Sequence, residues 1–104
     1  MDKQTAEIVT FKLRDTIKRE AFLALMQQTE AFVKDQAGFC HRQLSEGPDG
    51  QWTDYVLWHD HQSAAQAAAA FEQQAFAPDI FAAIAPDSAN MRHETVVLAL
   101  PDVG

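Results

Sequence analysis

Cysteine is nearly absent from this sequence, and its scarcity limits what the chain can be. Cys40 is the only one among 104 residues, so neither an intramolecular disulfide nor a cysteine-based metal site is available. This usage is typical of a reducing compartment, and the N-terminal Met1-Asp2-Lys3-Gln4 lacks the apolar segment of a secretory signal. We therefore expect a cytoplasmic protein.

Positive charge and long apolar runs are also scarce. Eight basic residues stand against fifteen acidic ones, for a formal net charge of −7, which argues against nucleic acid as a partner. The alanine run at 64–70 is too short and too weakly apolar to cross a bilayer, so we expect no membrane partner. The sequence also lacks the glycine-rich nucleotide motifs and the H-E-x-x-H motif of zinc proteases.

The size and apolar content predict one domain over residues 1–104. A chain of 104 residues with 47% hydrophobic residues can form one compact core. A domain of this size buries only about two-thirds of the surface that its unfolded chain exposes. Pairing with a second copy would therefore add useful buried area.

The spacing of apolar residues predicts four strands and three helical segments. The strands are predicted over 6–13, 39–46, 52–59 and 91–100, and the helices over 18–36, 63–74 and 78–84. Gly38 is a natural stop for the first helix, and Asp60 is the predicted N-cap of the second. If the two glycines of the hairpin turn face each other, Arg42 lies opposite Tyr55, and a slip of one residue would change that pair.

This order of elements predicts the ferredoxin-like βαββαβ fold, an α+β class with a four-stranded antiparallel sheet. The helices should cover one face of the sheet. The other face should carry apolar residues: Ile8, Thr10, Val56 and Trp58, or the residues that alternate with them. Because such a patch is too large to leave in water, we expect a homodimer that pairs its sheet faces.

Several residues give the chain a family resemblance. Gly38-Phe39 opens the second strand, and Trp58 closes the third before a helix that contains Ala64 and Ala67. With the order of elements, these features resemble the antibiotic biosynthesis monooxygenase-like group of the dimeric α/β-barrel superfamily, over nearly the whole chain. The resemblance implies a dimeric α/β barrel. It spans oxygenases that use no metal or flavin, haem-degrading enzymes and proteins without an established reaction.

Two departures from the pattern argue against haem. The haem-degrading branch and some quinol monooxygenases have a histidine at the position of Ala68, and the haem branch has an asparagine on strand one, where this chain has Ile8 to Phe11. The four histidines are not spaced to share one face of an element. We expect no metal and no cofactor.

Trp58 and His93 are the first candidate site residues. The resemblance implies that Trp58 borders a pocket, where its indole could pack on an aromatic ligand and donate one hydrogen bond; the alternative is a purely core tryptophan. His93 lies mid-strand between Arg92 and Glu94. A neutral imidazole facing a cavity could act as a general base, or it could pair with a carboxylate for structural reasons.

Tyr55 and Arg42 form a second candidate pair. Their hydroxyl and guanidinium groups could jointly hold a substrate oxygen. Alternatively, Tyr55 packs in the core and Arg42 pairs with an acid such as Asp54. The alanine-rich second helix could either lie close on the sheet or leave a cavity walled by the aromatic residues of strand three.

Two functional hypotheses follow. The first is a homodimeric, cofactor-independent monooxygenase for a small aromatic or quinol-type compound, with Trp58, Tyr55 and Arg42 binding the substrate and His93 as catalytic base. The second is a non-catalytic dimeric barrel that binds a small metabolite or serves only as a dimerisation scaffold. A cavity between the second helix and the sheet would favour the first hypothesis.

Overall fold

A computed structural model describes residues 3–101. Four strands form one antiparallel sheet in the order β2-β3-β1-β4. The elements are β1 (Thr5–Phe11), α1 (Arg19–Gln27), α2 (Glu30–Lys34), β2 (Phe39–Glu46), β3 (Trp52–Trp58), α3 (His61–Phe71), α4 (Ala77–Ala83) and β4 (Asn90–Thr95). The predicted ferredoxin-like α+β fold is therefore confirmed. Within residues 3–101, no helix is long and apolar enough to cross a membrane.

The helices cover one face of the sheet, and the core forms two clusters there. In the first cluster, Phe22 packs edge-on against Phe11 and Trp52, with ring centroids 5.5 and 5.1 Å apart. In the second, Trp58 is buried with Val33, Val56, Ala64 and Ala67. The β1–β3 register aligns Phe11 with Trp52. Alternation along each strand therefore places every second residue towards the helices.

The single long helix predicted over 18–36 is wrong, because the chain forms α1 and α2 instead. The break lies at Gln28-Thr29, where the backbone N–H of Thr29 donates to the carbonyl of Met26, a tightened bond between residues three apart. The fully buried Thr29 hydroxyl donates to the same carbonyl at 2.6 Å. It also accepts a hydrogen bond from Arg42 Nη1 at 2.7 Å, so the break is tied to β2.

The hairpin register differs by one residue from the first alternative considered. Arg42 lies opposite Val56, and Gln43 lies opposite Tyr55. The reason is the geometry of the turn. The Gly47 N–H donates to the Gln51 carbonyl at 2.8 Å, so Gly47 lies opposite Gln51 and not opposite Gly50. Because one residue of slip exchanges the faces of a strand, this register decides which side chains face the helices.

The last strand is shorter than predicted. It ends at Thr95, and the final ladder contact is the Val96 N–H donating to the Gln4 carbonyl at 2.9 Å. Because β1 begins at Thr5, the following residues have no partner strand within the described part of the chain. Leu98 is consequently exposed, as is Leu100 at 96%.

Of two local predictions around α3, the cap at Asp60 is confirmed and the stop at Gly38 is not. Asp60 caps the helix, its carboxylate accepting from the Ser63 N–H at 2.8 Å. The predicted helix stop at Gly38 is wrong, because α2 already ends at Lys34 with Asp35 as its C-cap. Gly38 instead lies in the turn before β2 with φ +85°, where a Cβ would collide with the Ser63 side chain. Glycine is thus needed at this position both for its backbone conformation and for the close approach of α3.

Candidate functional site

A cavity of about 290 Å³ lies between the sheet and the helices, near the lower end of the size range of small-molecule sites. It is lined by members of both core clusters and is mostly apolar. The lining includes Val9, Phe11, Met26, Phe32, Val33, Val56, Trp58, Ala67, Ala68, Phe71, Ile80, Phe81, Ile84, Ala89 and Met91, with Glu7, Arg42, Asp54 and Glu72 as its charged members. The cavity predicted as one outcome for the alanine-rich helix is therefore present.

Small side chains on α3 produce both of the packing outcomes that were considered. Ala64 and Ala67 are buried, and both pack in the cluster around Trp58. Ala67 and its neighbour Ala68 also line the cavity. The helix thus approaches the sheet closely at its start and leaves space beside its later residues.

One cross-strand row carries two charged residues of the cavity lining, Glu7 and Arg42, and ends at His93. His93 on β4 lies opposite Glu7 on β1, Glu7 lies opposite Val56 on β3, and Val56 lies opposite Arg42 on β2. Since neighbouring strands lie about 4.8 Å apart, the backbones at Glu7 and Arg42 are separated by roughly 10 Å. The cavity therefore has two polar ends with apolar surface between them.

At one end, Arg42 and Asp54 form a two-bond ion pair. Arg42 Nε lies 3.0 Å from Asp54 Oδ1, and Nη2 lies 2.8 Å from Oδ2. The two side chains are only 15% and 16% exposed. With the bond to Thr29, three of the five guanidinium N–H groups are used by described residues. Asp54 cancels the charge of Arg42, so this end offers donors rather than a free cation.

At the other end, Glu7 and His93 form a pair. His93 Nε2 lies 2.9 Å from Glu7 Oε2, and the side chains are 20% and 12% exposed. Glu7 belongs to the cavity lining and His93 does not, so the carboxylate stands between the imidazole and the cavity. The exposed His61 ring on α3 packs edge-on against His93, with centroids 5.0 Å apart.

Trp58 forms part of the cavity wall and carries an unpaired donor. The residue is 2% exposed, and its ring packs edge-on against Phe39. Its indole Nε1 is buried with no hydrogen-bond partner among the described residues. Buried donors are normally paired, so an acceptor that reached this nitrogen would remove an energetic cost.

The structure brings together some of the predicted site residues. Trp58 and Arg42 line one cavity, and His93 contacts Glu7, which lines the same cavity. Tyr55 does not, because alternation along β3 places it on the face of the sheet away from the helices. Within residues 3–101, no group of three histidine, cysteine, aspartate or glutamate side chains could hold a metal ion.

Glu7 and Asp54 were missed as cavity residues by sequence reasoning. Their signal was available in the alternation: Glu7 shares a strand face with Val9 and Phe11, and Asp54 shares one with Val56. A carboxylate on the buried face of a strand requires a partner, which is Arg42 for Asp54 and His93 for Glu7.

Comparison with known proteins identifies other proteins that have this fold. No family model and no curated protein matches the chain, but solved structures do. The crystal structure of SnoaB, a cofactor-independent oxygenase from Streptomyces nogalater, superposes with a TM-score of 0.76 at 20% identity, over 96% of this chain and 99% of that one. The chain has the fold of the antibiotic biosynthesis monooxygenases.

Two further solved structures have the same fold. A protein from Bordetella bronchiseptica provisionally assigned to the antibiotic biosynthesis monooxygenases matches with a TM-score of 0.72 at 19% identity, covering 93% of this chain and all of that one. A similarly assigned protein from Nitrosomonas europaea has a TM-score of 0.72 at 13% identity, with 93% of each chain covered. The resemblance predicted from the sequence is thus confirmed at the level of fold.

Proposed function

We propose that this chain is a cofactor-independent monooxygenase that acts on a small aromatic or quinol-type compound. The observation that carries the proposal is the cavity between sheet and helices, whose mostly apolar wall contains the carboxylate of Glu7, held from behind by His93, and a buried tryptophan, Trp58. The fold shared with the oxygenase SnoaB supports it.

The chemistry requires a base and a dry, apolar site. A phenol that loses its O–H proton to the base keeps the bonding electrons, and the resulting anion is the electron donor to molecular oxygen. In the balanced reaction, phenol and O2 give a quinone and water: one oxygen atom becomes the new carbonyl and the other leaves as water. All four electrons come from the substrate, so the protein supplies binding, orientation and proton transfer.

The residues divide this work according to their positions. Glu7 accepts the substrate proton at Oε1, because its carboxylate lies between the imidazole and the cavity, and His93 supports this role by donating from Nε2 to Oε2. The Trp58 ring packs on the aromatic substrate. Arg42 offers a substrate oxygen the donors that Asp54 and Thr29 leave unused.

Oxygen consumption tests this function. Wild-type protein is incubated with a panel of hydroxylated one-ring and two-ring aromatic compounds while dissolved oxygen and quinone absorbance are recorded. We expect one O2 consumed for each quinone formed, a loss of about 100-fold or more in rate for Glu7→Gln, as for removal of a general base, and a smaller loss for His93→Ala. His41→Ala is the matched control, because the exposed His41 side chain lies outside the cavity lining and forms its hydrogen bond with Gln43 on the edge strand β2.

Two results would contradict the proposal. Undiminished turnover in a folded His93→Ala variant would remove His93 from the reaction. Saturable binding of the panel without any oxygen uptake would instead support the alternative, a non-catalytic barrel that binds a small metabolite.

We also propose that the protein is a homodimer in the cytoplasm. Tyr55 is half-buried on the sheet face away from the helices, and the segment after β4 carries the exposed Leu98 and Leu100. Contact with a second copy would cover apolar surface of this kind. Light scattering after size exclusion should give twice the chain mass for wild type and for Gln73→Asp. It should give a smaller mass for Tyr55→Asp. A wild-type monomer would contradict the proposal.

A further inference from the structure

Glu7 occupies an unusual position for a carboxylate. Its side chain is 12% exposed and forms part of a mostly apolar cavity wall. Burial of a carboxylate is unfavourable without hydrogen-bond partners, and His93 holds only Oε2. Oε1 has no hydrogen-bond partner among the described residues, so the carboxylate retains an unused acceptor beside the cavity.

The charges around the cavity favour some ligands over others. Its charged lining residues are Glu7, Arg42, Asp54 and Glu72. Arg42 and Asp54 neutralise each other, which leaves the two glutamates, of which Glu72 is exposed. A ligand carboxylate near Glu7 would meet a like charge at low dielectric constant. A neutral hydroxyl group would instead donate a hydrogen bond to a charged acceptor, one of the stronger kinds.

The geometry points to Glu7 as the residue that contacts the ligand and selects a neutral hydroxyl-bearing aromatic compound over the corresponding carboxylate. His93 is the positioning residue that holds Glu7 Oε2 and leaves Oε1 for the ligand. This inference rests on the proposed function, because it takes an aromatic ligand in the cavity as given.

The test compares two ligands that share one ring system. Isothermal titration calorimetry at neutral pH measures binding of 2-naphthol, a neutral donor, and 2-naphthoate, an anion. We expect wild-type protein to bind 2-naphthol on the order of tenfold more tightly, as for a hydrogen bond to a charged group. In Glu7→Gln the preference should fall close to unity, because the like-charge repulsion and the charged acceptor are both removed.

Further variants provide the control and test the positioning role of His93. Glu94→Gln removes the same charge from an exposed position on the other sheet face, where Glu94 pairs with Arg92, and should leave the preference unchanged. His93→Ala should reduce the preference. His93→Gln should restore much of it, because the glutamine amide can donate to Glu7 as His93 does. A merely structural role for His93 would weaken both ligands equally, without rescue.

The outcomes separate this inference from the proposed function. If wild-type protein binds both compounds with equal affinity, or 2-naphthoate more tightly, Glu7 does not select the ligand although the cavity does bind aromatic compounds. If neither compound binds, the proposed aromatic ligand fails and this inference fails with it. Circular dichroism checks the fold of each variant, and if Glu7→Gln does not fold, the wild-type preference and the two His93 variants decide.

Discussion

The Arg42–Asp54 pair allows the sharpest prediction about stability. Asp54→Leu would leave the guanidinium largely buried, with only Thr29 among its present side-chain partners. Arg42→Met would leave the carboxylate uncompensated. Breaking a buried ion pair from one side costs about 3–5 kcal/mol. Since these side chains keep about 15% exposure, we expect each single substitution to lower the free energy of unfolding by about 3 kcal/mol.

The double variant Arg42→Met/Asp54→Leu should behave differently. It replaces both charged groups with apolar ones of similar size, a change that is often neutral or stabilising. We therefore expect its free energy of unfolding to lie within about 1 kcal/mol of the wild type. The coupling energy between the two sites would then be about 6 kcal/mol in magnitude, which is large for a contacting pair.

Urea unfolding followed by circular dichroism measures this cycle through the midpoint and slope of each transition. Single substitutions that each cost less than about 1 kcal/mol, as for a surface pair, would refute the buried, bidentate geometry. Titration of the double variant with 2-naphthol then separates two roles of Arg42. Retained affinity would make the pair structural, and lost affinity would support a contact between Arg42 and the ligand.

Three further predictions concern separate parts of the fold. Ala68→Leu should fill the cavity and abolish 2-naphthol binding without loss of stability. Ala65→Leu, at an exposed position on the same helix, should leave 2-naphthol binding unchanged. Undiminished binding by Ala68→Leu would show that the ligand lies elsewhere. The backbone N–H and then the hydroxyl of Ser63 lower the pKa of Asp60, so its contribution to stability is present above about pH 4 and is lost as the pH falls through the lowered value. Asp60→Asn should therefore show a smaller loss of Tm between neutral and acidic pH, and an unchanged loss would contradict this. Burial raises the pKa of the Cys40 thiol, opposed by a hydrogen bond from Gln4, so its reaction with Ellman's reagent should be slower than that of glutathione under the same conditions; an equal rate would contradict it.

Short-range patterns determine much of this fold. The bounds of β2 and the cap at Asp60 were readable from the sequence, because each depends on residues within a few positions. Strand alternation and helix periodicity determine the order of the elements. That order, with the glycine and the tryptophan at the ends of the hairpin strands, was enough to identify the antibiotic biosynthesis monooxygenase fold.

Only the tertiary structure decided how the candidate site is assembled. The helix break at Thr29 involves Arg42 from another strand, and a one-residue difference in hairpin register directs Arg42 towards the cavity and Tyr55 away from it. Glu7 and His93, 86 residues apart, meet only because β1 pairs with β4. Local preferences determine which elements form, whereas long-range pairing determines which side chains face each other, and the chemistry of a cavity depends on the second.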